Sequence, residues 1–159
     1  MLTAQLVATT VRSCHSAAVA TIAGSLVLRS VVLADTQPAP VLSRGGSQGP
    51  LVGDGLLAHN AVQVTVEQAL IANNARAGAF FSSTGLAQPL VNEAKMTATA
   101  LTRSVFGVVV QGDAQLVLKG WLASGNSQQN FAGNLGLSVP EPPQPVAVDN
   151  AGSQRKPKF

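Results

Sequence analysis

Chain-breaking residues divide this sequence before any other signal is read. Pro38, Pro40, Gly45, Gly46, Gly49, Pro50 and Gly53 fall between Asp35 and Gly55, and Pro140, Pro142, Pro143 and Pro145 follow Val139. Proline lacks the amide proton that helices and sheets need, and glycine gives up more backbone entropy than any other residue. The punctuation predicts four parts: a leader or helix over 1–34, a Gly/Pro-rich linker over 35–57, a folded domain over 58–139 and a disordered basic tail over 140–159. The glycines of the linker do not form a phosphate loop. Gly53-Asp54-Gly55 runs into Leu56-Leu57, where such a loop needs Lys followed by Ser or Thr.

Residues 1–34 contain Arg12 and Arg29 and no acid. Two readings stand side by side. Val7, Val11, Cys14, Ala18 and Ile22 recur at helical spacing, which predicts an amphipathic helix. The apolar run Ala17 to Leu28, with Val32-Leu33-Ala34 before Asp35, also reads as a secretory or mitochondrial leader. Membrane contact is expected only through this segment, and localisation follows from it: a cytoplasmic assembly if it is retained, an extracytoplasmic or mitochondrial protein if it is a leader.

In the domain, Thr65 and Gln68 take capping-box spacing ahead of a helix-favouring run, and Gly78 stands where such a helix would end. A helix over 62–77 follows, with a short Val62-Val64-Val66 strand as the alternative. A second helix is predicted after Pro89, where Leu90, Ala94, Ala98, Leu101 and Val105 recur every three or four residues. Beyond Arg103 the runs Val108–Val110, Leu116–Leu122 and Phe131–Val139 are strand-like, with glycine-bearing turns between them. The expected fold class is α+β: two or three helices packed on a small antiparallel β-meander. In that meander Trp121 lies opposite the Leu116, Leu118 and Leu122 face and emerges as a contact residue. Phe80 and Phe81 are the other candidate interaction residues.

Charged residues make up 11% of the chain, against about a quarter in an ordinary domain. Such a surface has little of the repulsion that keeps proteins apart, so copies of itself or other assembly proteins are the expected partners. The net charge of +3 is carried by scattered bases, grouped only at Arg155, Lys156 and Lys158. That is no footprint for nucleic acid. The single Cys14 excludes an internal disulfide and a cysteine-rich zinc site. Neither His15 nor His59 has metal-ligand or paired-acid spacing, and no GxSxG occurs. No catalytic, cofactor or metal residue is assigned.

Val32-Leu33, His59-Asn60-Ala61, Gly78 and Ser83-Thr84-Gly85 together resemble the pattern of bacterial R-body structural proteins, over about a third of the chain. That resemblance implies assembly into a ribbon. The low charge makes the expected function a non-enzymatic structural or interaction subunit that self-associates into a larger assembly, a virion or bacterial structural component, with an R-body-like ribbon protein as one version. The alternative is a small exported or organelle-imported ligand-binding domain or enzyme behind a cleaved leader.

Overall fold

A computed structural model describes residues 3–42, 48–61, 63–83, 93–97 and 99–133. Among them there is no helix. Sixteen strands wind into five stacked rungs, each contributing one strand to each of three sheets. Rung one is β1 (Thr3–Val7), β2 (Thr10–Arg12) and β3 (Ser16–Ile22). Rung two is β4 (Ser25–Arg29), β5 (Val32–Ala34) and β7 (Gln48–His59), with β6 (Ala39–Leu42) inserted. Rung three is β8 (Gln63–Glu67), β9 (Leu70–Ala72) and β10 (Ala77–Ser83). Rung four is β11 (Glu93–Thr97), β12 (Ala100–Thr102) and β13 (Phe106–Gly112). Rung five is β14 (Gln115–Lys119), β15 (Leu122–Ser124) and β16 (Gln129–Gly133).

The sheets run β1-β4-β8-β11-β14, β2-β5-β9-β12-β15 and β3-β7-β10-β13-β16. Every pairing within them is parallel; only the β6–β7 hairpin is antiparallel. This is a parallel β-solenoid, in which each rung buries its apolar side on its neighbours. One rung advances 22 residues where nothing is inserted, as in the register of Thr3 with Ser25 and of Glu93 with Gln115. The β6–β7 hairpin, whose strands fall largely in the glycine- and proline-rich stretch, lengthens rung two.

Equivalent residues of successive rungs stack about 4.8 Å apart. Leu6, Leu28, Val66, Met96 and Leu118 form one inward column, and Val11, Leu33, Ile71, Leu101 and Ala123 another. Val19, Leu56, Ala79, Val108 and Phe131 stack in the third sheet. Each fully buried Leu, Ile or Val contributes about 1.5–3 kcal/mol. A second apolar cluster of Leu57, Ala77, Phe80, Val109 and Ala132 lies across β7, β10, β13 and β16.

The corners explain why the chain bends. Ala8, Ser30, Gln68 and Gly120 hold the first corner at positive φ, and Ser13, Asp35, Asn73, Arg103 and Gly125 hold the second. Ala23, Asn60 and Gly112 do the same at the third. Each left-handed residue turns the chain from one sheet to the next, and several of these amides bond to the following rung. Ala8 N–H donates to Arg29 O at 3.0 Å, Ser30 N–H to Glu67 O at 3.0 Å and Asn73 N–H to Thr102 O at 2.9 Å, all on the next rung.

These corners overturn the α+β expectation. The helix over 1–34 is replaced by β1 to β5, because Ala8, Ser13 and Ser30 have the wrong sign of φ for a helix. The helix over 62–77 is replaced by β8 and β9, interrupted at Gln68 and Asn73. The helix after Pro89 falls partly outside the described residues, and the rest is β11 and β12. The antiparallel meander is wrong as well. Val108–Val110 and Phe131–Gly133 lie in one sheet and pair with each other in parallel, while Leu116–Leu122 is divided between the other two sheets, where it pairs in parallel with β11 and β12. The basic tail and Leu135–Val139 lie outside the described residues.

Candidate interaction surface

Among the described residues the sheets end at rung one and at rung five. Among the described residues β1, β2 and β3 have a strand on one side only, and so do β14, β15 and β16. The interior shows the same boundary. Leu28, Leu33 and Leu56 of rung two, Val66, Ile71 and Ala79 of rung three and Met96, Leu101 and Val108 of rung four are buried, whereas Leu6, Val11, Ala18 and Val19 of rung one are only partly so. Leu116, Leu118, Trp121 and Ala123 of rung five are also only partly buried. Phe131, in register with buried Val108, is 48% exposed.

Trp121 does not emerge from a meander face. Gly120 sits at φ 57, a corner that breaks the alternation running from Leu116 to Lys119. The indole therefore turns to the same core as Leu116 and Leu118, at the solenoid end, where it meets Phe131 edge to face with centroids 6.5 Å apart. Phe80 and Phe81 are both buried, on opposite sides of β10: Phe81 in the main core, Phe80 in the second cluster.

Arg76 and Asp54, which carried no signal in the sequence, form a buried ion pair. The Arg76 guanidinium grips the fully buried Asp54 carboxylate through Nε (2.9 Å) and Nη2, and Ala77 N–H donates to the same carboxylate at 3.2 Å. The guanidinium also lies 4.6 Å from the centre of the Phe80 ring, a cation–π arrangement. Burial pushes the Asp54 carboxyl up, against the pull of Arg76 and of Ala77 N–H. This group ties the root of the β6–β7 hairpin to rung three.

The second corner carries a polar ladder. Thr36 N–H donates to Asn74 Oδ1 (3.3 Å), Asn74 N–H to Ser104 Oγ (3.2 Å) and Ser104 N–H to Asn126 Oδ1 (3.0 Å). Outside it runs a groove of about 440 Å³ bordered by Gln37, Asn73, Arg103 and Ser127. Cys14, in rung one, is a partly exposed free thiol near this corner, and its neighbour His15 is exposed.

His59 Nδ1 lies 3.1 Å from Ser82 Oγ and its Nε2 3.2 Å from the Asn60 amide. The pairing looks like a nucleophile and its base, but Ser82 is 2% exposed and offers no surface to a substrate. Among the described residues no cluster of three His, Cys, Asp or Glu is placed to hold a metal ion. Burial lowers the His59 pKa from its ordinary 6.5, so the folded chain holds fewer protons there than the unfolded chain does. His59 should therefore leave stability intact above pH 6.5 and erode it as the pH falls below that value. Urea midpoints measured between pH 8 and pH 5 should fall with acidification, and His59→Gln should flatten part of that slope. An unchanged slope would show that His59 carries none of it. Comparison with known protein families, with curated proteins and with solved structures gives no match to this chain.

Proposed function

We propose that this chain is a structural or interaction subunit, without a catalytic role, that self-associates into a larger assembly. The observation that carries the reading is the pair of open ends. A row of unpaired backbone N–H and C=O groups is a ready template for another chain, and monomeric proteins shield such edges with charge, proline or bulges. Among the described residues charge on the end strands is limited to Arg12 of β2 and Lys119 of β14, and none of the six strands contains a proline. Half-exposed Phe131 adds apolar surface to the edge of rung five. With only 11% of residues charged, little repulsion opposes the contact.

Light scattering coupled to size exclusion tests this on the full chain. The expected result is a mass above that of one chain at tens of micromolar, reduced by Phe131→Lys, which places a charge at the open end without disturbing a buried site. A monodisperse monomer for the unaltered chain under those conditions would sink the reading.

A further inference from the structure

Self-association leaves open how the ends meet, and the following inference rests on that reading and specifies its geometry. We propose that copies join head to tail, rung five of one stacking in register on rung one of the next, so that the solenoid continues through the junction. The partner is a second copy of this chain, and the product is an open filament. An interface between two different patches generates a fibre unless its rotation closes a ring.

The fit starts from strand lengths. β14 and β1 each have five residues and β15 and β2 each have three, while β16 has five against seven in β3. Every rung-to-rung pairing inside the solenoid is parallel, so the free edge of rung five and the free edge of rung one are opposite sides of one ladder. The junction repeats a contact the molecule already makes four times.

Side-chain size favours the same arrangement. Continuing the columns sets Trp121 over Thr9, Phe131 over Val19, Leu118 over Leu6 and Ala123 over Val11 of the next copy. The bulky end meets the smaller one. A two-fold junction of rung five on rung five would press two Trp121–Phe131 pairs together and leave both first rungs open. Charge raises no objection: Lys119 would continue the column of Val7, and Arg12 would stand in register with Ser124, so no like charges stack.

Disulfide trapping reads the register directly. Thr10 and Leu122 are both exposed and occupy the same column of the second sheet. In the proposed junction their Cα atoms would be about 4.8 Å apart, inside the span a disulfide needs; within one copy they are four rungs apart, about 19 Å, which excludes an internal bond. On a Cys14→Ser background, the full chain carrying Thr10→Cys and Leu122→Cys should give a ladder of reducible oligomers after mild copper–phenanthroline oxidation. The two single variants mixed together should give only the mixed dimer. Thr10→Cys with Val117→Cys, an exposed rung-five position on the first sheet, should link weakly. Equal linking by both pairs overturns the register. Dimers of Leu122→Cys with itself overturn head-to-tail joining but leave self-association standing. No linkage together with a monomeric mass overturns both.

Discussion

Replacing Arg76 with alanine is expected to destabilise the fold by about 3–5 kcal/mol, the usual consequence of stranding one member of a buried ion pair. Asp54 is fully buried and receives two hydrogen bonds from Arg76 and one from Ala77 N–H. Without the guanidinium the carboxylate keeps one donor and must either hold an unpaired charge or take up a proton. Protonation is the cheaper escape, so the Asp54 carboxyl rises further in the variant. A carboxyl raised in the folded state contributes its stability fully below its unfolded pKa, near 3.8, and loses it as the pH climbs through the folded value. The deficit of Arg76→Ala should therefore be larger at pH 7 than near pH 4. Asp54→Leu with Arg76→Met should recover most of the loss, because apolar side chains need no partner. Urea denaturation of the single and double variants measures both effects. A single-variant loss below about 1 kcal/mol would place the pair among ordinary surface ion pairs.

The pair also shows why much of this molecule was hidden in its sequence. Arg76 and Asp54 lie 22 residues apart, and only the winding of one rung brings them together. The winding itself was legible. Ser25-Leu26-Val27-Leu28-Arg29 and Gln115-Leu116-Val117-Leu118-Lys119 share an alternating pattern, as does Gln63-Val64-Thr65-Val66-Glu67, and all three fall in one sheet. Self-similarity of this kind is the signature of a solenoid. It was obscured because insertions stretch the interval to 38 residues between rungs two and three and 30 between rungs three and four. The corners mislead locally as well. A five-residue strand, a left-handed corner and a three-residue strand place apolar residues three or four apart, as at Val7, Val11 and Cys14, and a helix presents the same spacing. What separates the two is the residue at the bend. Ser, Ala, Asn and Gly recur there, and of these Asn and Gly tolerate the left-handed region better than other residues. The open ends were the least visible feature, since Trp121 and Phe131 read as strand residues until the last rung is known.

Gly107→Ala is expected to cost about 3 kcal/mol, at the upper end of what one added methyl does to a packed interior. Gly55, Gly78 and Gly107 occupy equivalent places where the third sheet leaves the second corner, and at each the backbone of the following rung closes over the α-carbon. A Cβ on Gly107 would stand 2.4 Å from the Asn130 carbonyl oxygen, 2.9 Å from Asn126 Nδ2 and 3.2 Å from the Ala123 methyl. The first of these is backbone and cannot swing aside. Relief requires β16 to move away from β13, which breaks the parallel ladder between them and pulls Asn126 from its bonds to Ser104 N–H and the Leu101 carbonyl. Rung five, the end proposed to join the next copy, would loosen as a unit. Two readouts should change together: the urea midpoint falls, and Trp121 emission shifts to the red as the indole leaves its partners. Gly133→Ala is the control on the same rung. Its nearest neighbour to an added Cβ is the Val110 carbonyl oxygen at 3.9 Å, so the change should stay within about 0.5 kcal/mol. Equal losses for the two variants would mean that crowding at Gly107 is not what fixes the fifth rung.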